Sequence, residues 1–187
     1  MSGTKFEVDE FVIECRGALA DSDPRAALKA VVEQSVRHGP SLATRVPAAI
    51  RDAGGSVHYS PELTVLWIEW PPGMYDPPHD HGTWAVVGVY AGEESSVLYR
   101  RSPAAPIEAT GSSSLAEGDV ALLGADVIHA VANPRSTWCG ALHVYVGDFL
   151  SPARREWDPD TLAERPWDPI GSLNRYIQAT AAAPPPS

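Results

Sequence analysis

From residue 55 onward the chain is written in short runs. Val57–Tyr59, Leu63–Trp70, Ala85–Tyr90, Ser96–Arg100, Val120–Leu123, Val127–Ala132 and Gly140–Val146 all have strand-like composition, and Gly, Pro, Asn or Ser interrupts them at close intervals. Many short strands with no long helix between them imply an antiparallel sandwich or barrel, and small barrels and jelly rolls have interiors that hold one ligand. Ahead of this region the texture is helical. Phe11, Val12, Cys15 and Leu19 recur at helical spacing within Phe6–Leu19. A second helix is expected over Arg25–His38, burying Ala27, Leu28, Val31 and Val32, with Asp21, Ser22 or Asp23 as its cap and Pro24 in its first turn. The expected organisation is one domain over 1–187: a helical cap (1–50), a β-barrel (55–150), an irregular C-terminal extension (151–180) and a flexible Ala/Pro tail (181–187).

Composition narrows the partners. A formal net charge of −10, with no Lys/Arg-rich run to offset it, opposes nucleic acid and anionic membrane and favours a small-molecule partner. No stretch approaches the roughly 20 apolar residues of a membrane helix. The N-terminal MSGTKFEVDEF carries acids where a signal peptide needs basic and then apolar residues, so a cytoplasmic location is expected. Cys15 and Cys139 have no CxxC spacing and are read as buried thiols.

Chemistry concentrates in PPGMYDPPHDHGTWAVVGVYAG, Pro71 to Gly92. Successive side chains of an extended strand point to opposite faces, so His79 and His81 share one face while Asp80 points to the other. A third histidine, His129, lies on the later apolar run IHAVAN. Three imidazoles suit Fe, Zn, Cu or Ni far better than Mg or Ca. Two Gly-led segments, Gly73 to Gly92 and Gly118 to Asn133, each deliver histidine to a strand, as in a two-fold Greek-key barrel.

These residues resemble known motifs. Gly73, five residues and then HDH resembles the first cupin motif, and Gly118, His129 and Asn133 fall at the spacing of the second, with Gly124 and Asp126 replacing its middle proline and glycine. PPHDHGTWAVVGVYAG, ALHVYVGDF and RREWDP together resemble the thiol dioxygenases related to cysteine dioxygenase, particularly their bacterial, 3-mercaptopropionate dioxygenase-like members, over roughly Val57 to Asp158. The resemblance implies a mainly β fold, the cupin double-stranded β-helix (jelly-roll barrel), with N-terminal α-helices.

It also implies a site. His79, His81 and His129 are the expected Fe(2+) ligands; the cupin glutamate is missing, with Ala85 and Val86 in its region, which leaves a neutral protein ligand set and open positions for a substrate thiolate and O2. Both oxygen atoms would then pass to the sulfur to give a sulfinate. His143 and Tyr145 share a face of the strand Gly140–Val146 with Cys139 and Ala141, and the resemblance makes Tyr145 catalytic with His143 orienting its hydroxyl. The family's Ser-x-His-x-Tyr reads Ala141-Leu142-His143-Val144-Tyr145 here, so a hydrogen bond to His143 is expected to be lost and any relay to run more weakly or through water. The cysteine that some members join to the tyrosine would fall near Val86. The arginine of cysteine-selective members is absent at Pro61, whereas Arg154, in a segment like RxxW, matches the carboxylate-binding arginine of 3-mercaptopropionate dioxygenase-like members; Arg155 is the neighbour most easily confused with it. Trp84 is expected at the rim as a substrate contact, and His38 and His58 as bystanders. The expected activity is oxidation of a small thiol carboxylate by O2. The alternatives are a cupin metalloenzyme of other chemistry, such as diketone cleavage or isomerisation, and a non-catalytic ligand-binding cupin.

Overall fold

The structure, a computed structural model, describes residues 8–39, 42, 55–149 and 153–183. Two helices come first, α1 (Val8–Leu19) and α2 (Pro24–Val36). Asp23 caps α2, its carboxylate accepting from the Ala26 amide at 3.2 Å, and Pro24 fills the first position, where no amide hydrogen is needed. The helix stops at Val36, two residues before the expected end. Eleven strands follow: β1 (Ser56–Tyr59), β2 (Leu63–Trp70), β3 (Tyr75–Asp80), β4 (Ala85–Ala91), β5 (Glu93–Arg101), β6 (Ile107–Ala116), β7 (Val120–Leu123), β8 (Ile128–Ala132), β9 (Cys139–Val146), β10 (Arg155–Trp157) and β11 (Glu164–Pro166). A third helix, α3 (Pro169–Ala182), ends the described chain.

One sheet has the order β1-β2-β9-β4-β7 and the other β11-β10-β3-β8-β5-β6. Every pairing is antiparallel. Strands β2 to β9 thus pass back and forth between two four-stranded layers, β2-β9-β4-β7 and β3-β8-β5-β6, which is the double Greek key of a jelly roll. The expected mainly β jelly-roll barrel with N-terminal helices is the fold.

Side-chain alternation explains how this barrel is filled. On β9, Leu142 and Val144 point outward and pack with Val65, Trp67, Val86 and the helices, while Cys139, Ala141 and Tyr145 point inward. Both faces are therefore covered, and β9 reads as an almost unbroken buried run. Gly88 lets α2 lie directly on the sheet: a Cβ there would stand 2.6 Å from Val32 Cγ1 and 2.8 Å from Val36 Cγ1. Cys15 and Cys139 are both buried free thiols, as expected.

The chain departs from expectation in three places. β6, IEATGSSSLA, is an exposed edge strand whose serines carry no apolar alternation. The second departure is the supposedly irregular extension, which contains β10, β11 and α3. The Asp168-Pro169 pair, readable as a turn signal, is here a helix cap and first residue, with Asp168 accepting from the Gly171 amide at 2.9 Å. Third, Ala181 and Ala182 belong to α3, so the helix overruns the expected start of the tail, whose residues 184–187 lie outside the described ones.

Candidate metal centre

The candidate metal centre is built on one strand register. His79 on β3 is directly opposite His129 on β8, and His81 stands one residue beyond the end of β3. The prolines at 77 and 78 supply no ladder donors, and the pairing shifts register between Asp76 and His79, so the strand is irregular where it presents its histidines. The His81 Nε2 lies 3.3 Å from His79 Nε2 and 3.1 Å from His129 Nε2, and all three rings are buried.

The far sides of two are held, while His81 Nδ1 is buried with no hydrogen-bond partner. His79 Nδ1 is 2.9 Å from the Pro77 carbonyl, which can only accept, so that nitrogen carries the hydrogen and Nε2 presents a lone pair. His129 Nδ1 meets the Ser96 hydroxyl at 3.3 Å. Burial, above all, depresses the pKa of each ring; at His81 and His129 the neighbouring imidazoles and Arg154 push it further, well below the usual histidine range. Neutral imidazoles with oriented lone pairs are what a transition-metal ion requires, and the three donors lie within 4.8 Å of one another. Among the described residues no carboxylate joins them.

A cavity of about 200 Å³ opens over the histidines, with walls from Leu66, Ile68, Val131 and Phe149 and polar groups from Asp76, His143, Tyr145, Arg154 and Ser172. Tyr145 packs edge-on to His81, ring centroids 5.1 Å apart, and burial raises its hydroxyl pKa. Its hydroxyl is 3.1 Å from His143 Nδ1. The other face of that imidazole is not left open by the missing serine. Glu94 Oε2 lies 3.1 Å from His143 Nε2 and accepts from Trp70 Nε1 at 2.9 Å, with Glu94 only 3% exposed. The weakened or water-mediated relay expected from Ala141 is therefore replaced by a direct contact to a carboxylate. Inward parity with Ser96 and Leu98 was the available signal, but EESSVLYRR has no apolar alternation to reveal it.

Arg154 faces the cavity and Arg155 does not. The Arg154 side chain is clamped between the rings of Phe149 and Trp167, its guanidinium carbon 4.1 and 4.0 Å from their centroids, and Nε donates to the Asp80 carbonyl at 3.1 Å. Nη1 is buried with no hydrogen-bond partner. Arg155 turns outward to Glu164 at 3.3 Å, while its amide is held by the Asp80 carboxylate at 2.8 Å. Asp80 thus points away from the histidines and ties down β10, as strand alternation requires. The role expected for Trp84 is corrected: it shares the outward parity of Val86 and packs in the cluster under α1 and α2, with the Arg25 guanidinium carbon 5.6 Å from its ring. Val86 likewise faces the helices, and it is Ala85 that packs against Tyr145 inside the barrel. His58 contacts Arg16 at 3.3 Å, remote from the metal ligands as expected. Trp167 and Ser172 join the cavity from parts of the chain that motif spacing does not mark, and Asp76 joins it from the spacer between Gly73 and His79.

No family model matches the chain, and no curated protein does. Solved structures do. DMSP lyase DddQ from Ruegeria pomeroyi DSS-3 is similar at 24% identity and a TM-score of 0.43, over 54% of this chain and 46% of that one. An oxalate oxidase in complex with the substrate analogue glycolate is similar at 17% identity and a TM-score of 0.40, over 46% and 42%. A cupin superfamily protein from Desulfitobacterium hafniense DCB-2 is similar at 15% identity and a TM-score of 0.41, over 50% and 74%. This chain thus spans a little under half the length of the lyase and of the oxidase. Among the described residues no helix is long and apolar enough to cross a membrane.

Proposed function

We propose that this protein is a non-haem iron dioxygenase that oxidises a small thiol carboxylate, of the 3-mercaptopropionate or cysteine-like class, to its sulfinate with O2. The observation that carries the reading is Arg154, which lines the cavity that also holds the three histidines and Tyr145 and whose Nη1 is a buried, unpartnered donor. Nη1 is left without a partner although Asp76, Asp80 and Glu156 lie within range of the guanidinium's charge, and a carboxylate from a ligand would satisfy it with direction as well as charge.

His79, His81 and His129 would hold the iron, which when bound supplies a place for a thiolate and dioxygen to meet. The chain's own residues do the rest. Arg154 fixes the carboxylate end, so a short ligand lies with its other end toward the histidines. Leu66, Ile68 and Val131 give the methylene chain an apolar wall and exclude water. Tyr145, edge-on to His81, brings its hydroxyl oxygen to the ligand's sulfur end, and His143 keeps that hydroxyl in place.

The test begins with anaerobic purification and quantification of Fe, Zn, Ni and Mn, followed by oxygen uptake against thiols and diketones. Uptake with a mercapto-carboxylate, yielding the sulfinate, is expected of the iron-loaded protein. Full zinc occupancy with no uptake after iron reconstitution would sink the reading, and uptake with diketones alone would replace it. Arg154→Ala is expected to raise KM for mercapto-carboxylates at least tenfold while leaving cysteamine nearly unaffected, since only the former carries the group that the guanidinium binds.

A further inference from the structure

We infer that Glu94 is a positioning residue for Tyr145, setting which way the tyrosine's hydrogen points by fixing the tautomer of His143. The inference rests on the proposed reading only for its catalytic consequence, not for its geometry. Glu94 Oε2 is shared by two nitrogens: it accepts from the Trp70 indole at 2.9 Å, and His143 Nε2 approaches it at 3.1 Å. A carboxylate oxygen accepts, so Nε2 of a neutral His143 carries the hydrogen. Nδ1 is then a bare lone pair, 3.1 Å from the Tyr145 oxygen. A bare nitrogen cannot donate, so the tyrosine must. Its hydrogen is committed to His143, and the oxygen meets a ligand over the three histidines with lone pairs only.

The alternative tautomer, or an imidazolium paired with Glu94, would have the opposite result. With Nδ1 protonated, His143 would donate to Tyr145, and the hydroxyl hydrogen would be free to point at the ligand. Glu94 therefore makes Tyr145 an acceptor on the cavity side, suited to a bound group that carries a hydrogen, such as a thiol or a water molecule. All four residues are buried, and they come from three strands of the barrel: Trp70 from the end of β2, Glu94 from β5, and His143 and Tyr145 from β9. Trp70 leaves the shared oxygen little freedom, so the chain is directed rather than merely filled.

The experiment is long-range ¹H–¹⁵N correlation of the histidine rings in the full-length protein, metal-free and zinc-loaded, for the wild type, Glu94→Gln and Glu94→Leu. Expected is the Nε2–H tautomer of His143 in the wild type, its retention in Glu94→Gln, whose amide oxygen still accepts, and its loss or mixing in Glu94→Leu. A wild-type Nδ1–H tautomer or a doubly protonated ring would overturn the inference, as would a Glu94→Leu spectrum unchanged from wild type. Should Glu94→Leu fail to fold, the wild-type and Glu94→Gln spectra still decide. In the iron-loaded protein, Glu94→Leu is expected to lower kcat for thiol oxidation by about 10–100-fold with KM little changed, and Glu94→Gln to restore most of it. The ring spectra need no turnover, so a wild-type enzyme that consumes no oxygen defeats the dioxygenase reading while leaving the tautomer result to stand by itself.

Discussion

The three histidines are held neutral by burial, and that has a measurable cost in acid. Their folded pKa values lie below the ordinary value of about 6.5. Above that value neither state binds the proton. As pH falls below it, the unfolded chain takes up protons that the folded metal-free protein refuses, so stability falls by up to about 1.4 kcal/mol per pH unit for each histidine. The Tm of chelator-treated protein should therefore drop between about pH 7 and pH 5, and His81→Phe should flatten that slope; a wild-type Tm that holds constant over the interval would contradict the account. Ser96 acts on the same site from behind. Removing its hydroxyl from His129 Nδ1 in Ser96→Ala should weaken metal binding by about tenfold, read from competition with a chromophoric chelator, without unfolding the protein.

At the scale of elements, the barrel strands were legible wherever apolar alternation or a continuous buried run marked them. The boundaries expected for β2 and β7 match those observed, and β9 begins one residue earlier than expected. β6 and α3 were not legible, because neither is buried deeply enough to impose a pattern: β6 is almost wholly exposed, and α3 has no buried residue, with only Tyr176 and Ala179 leaning on the core. The candidate site divides in the same way. The histidines repeat at motif spacing and could be found, whereas Glu94, Ser172 and Trp167 reach the site through tertiary packing, and Trp84 was placed by proximity in sequence although its parity faces it outward. Two substitutions test the elements. Gly88→Ala should destabilise by about 1–3 kcal/mol, because α2 must move off the sheet, while the metal content is retained. Asp168→Ala should cost about 1 kcal/mol through loss of the α3 cap. Both are read by denaturant unfolding.

Over the whole molecule, a net charge of −10 surrounds a cavity whose proposed ligand is an anion. Added salt screens that long-range repulsion more than it screens the buried contact with Arg154. KM for a mercapto-carboxylate should accordingly fall as ionic strength rises toward about 0.15 M, while KM for cysteamine, a cation, should rise; parallel changes in the two would mean that the surface field plays no part. The clamp on Arg154 bears on affinity in another way. A free arginine side chain carries about 2 kcal/mol of rotamer entropy, which a ligand ordinarily has to quench when it recruits one. Here Phe149, Trp167 and the Asp80 carbonyl quench it during folding, before any ligand arrives. A molecule as small as a three-carbon acid has few atoms with which to bind, and it meets a guanidinium that is already still.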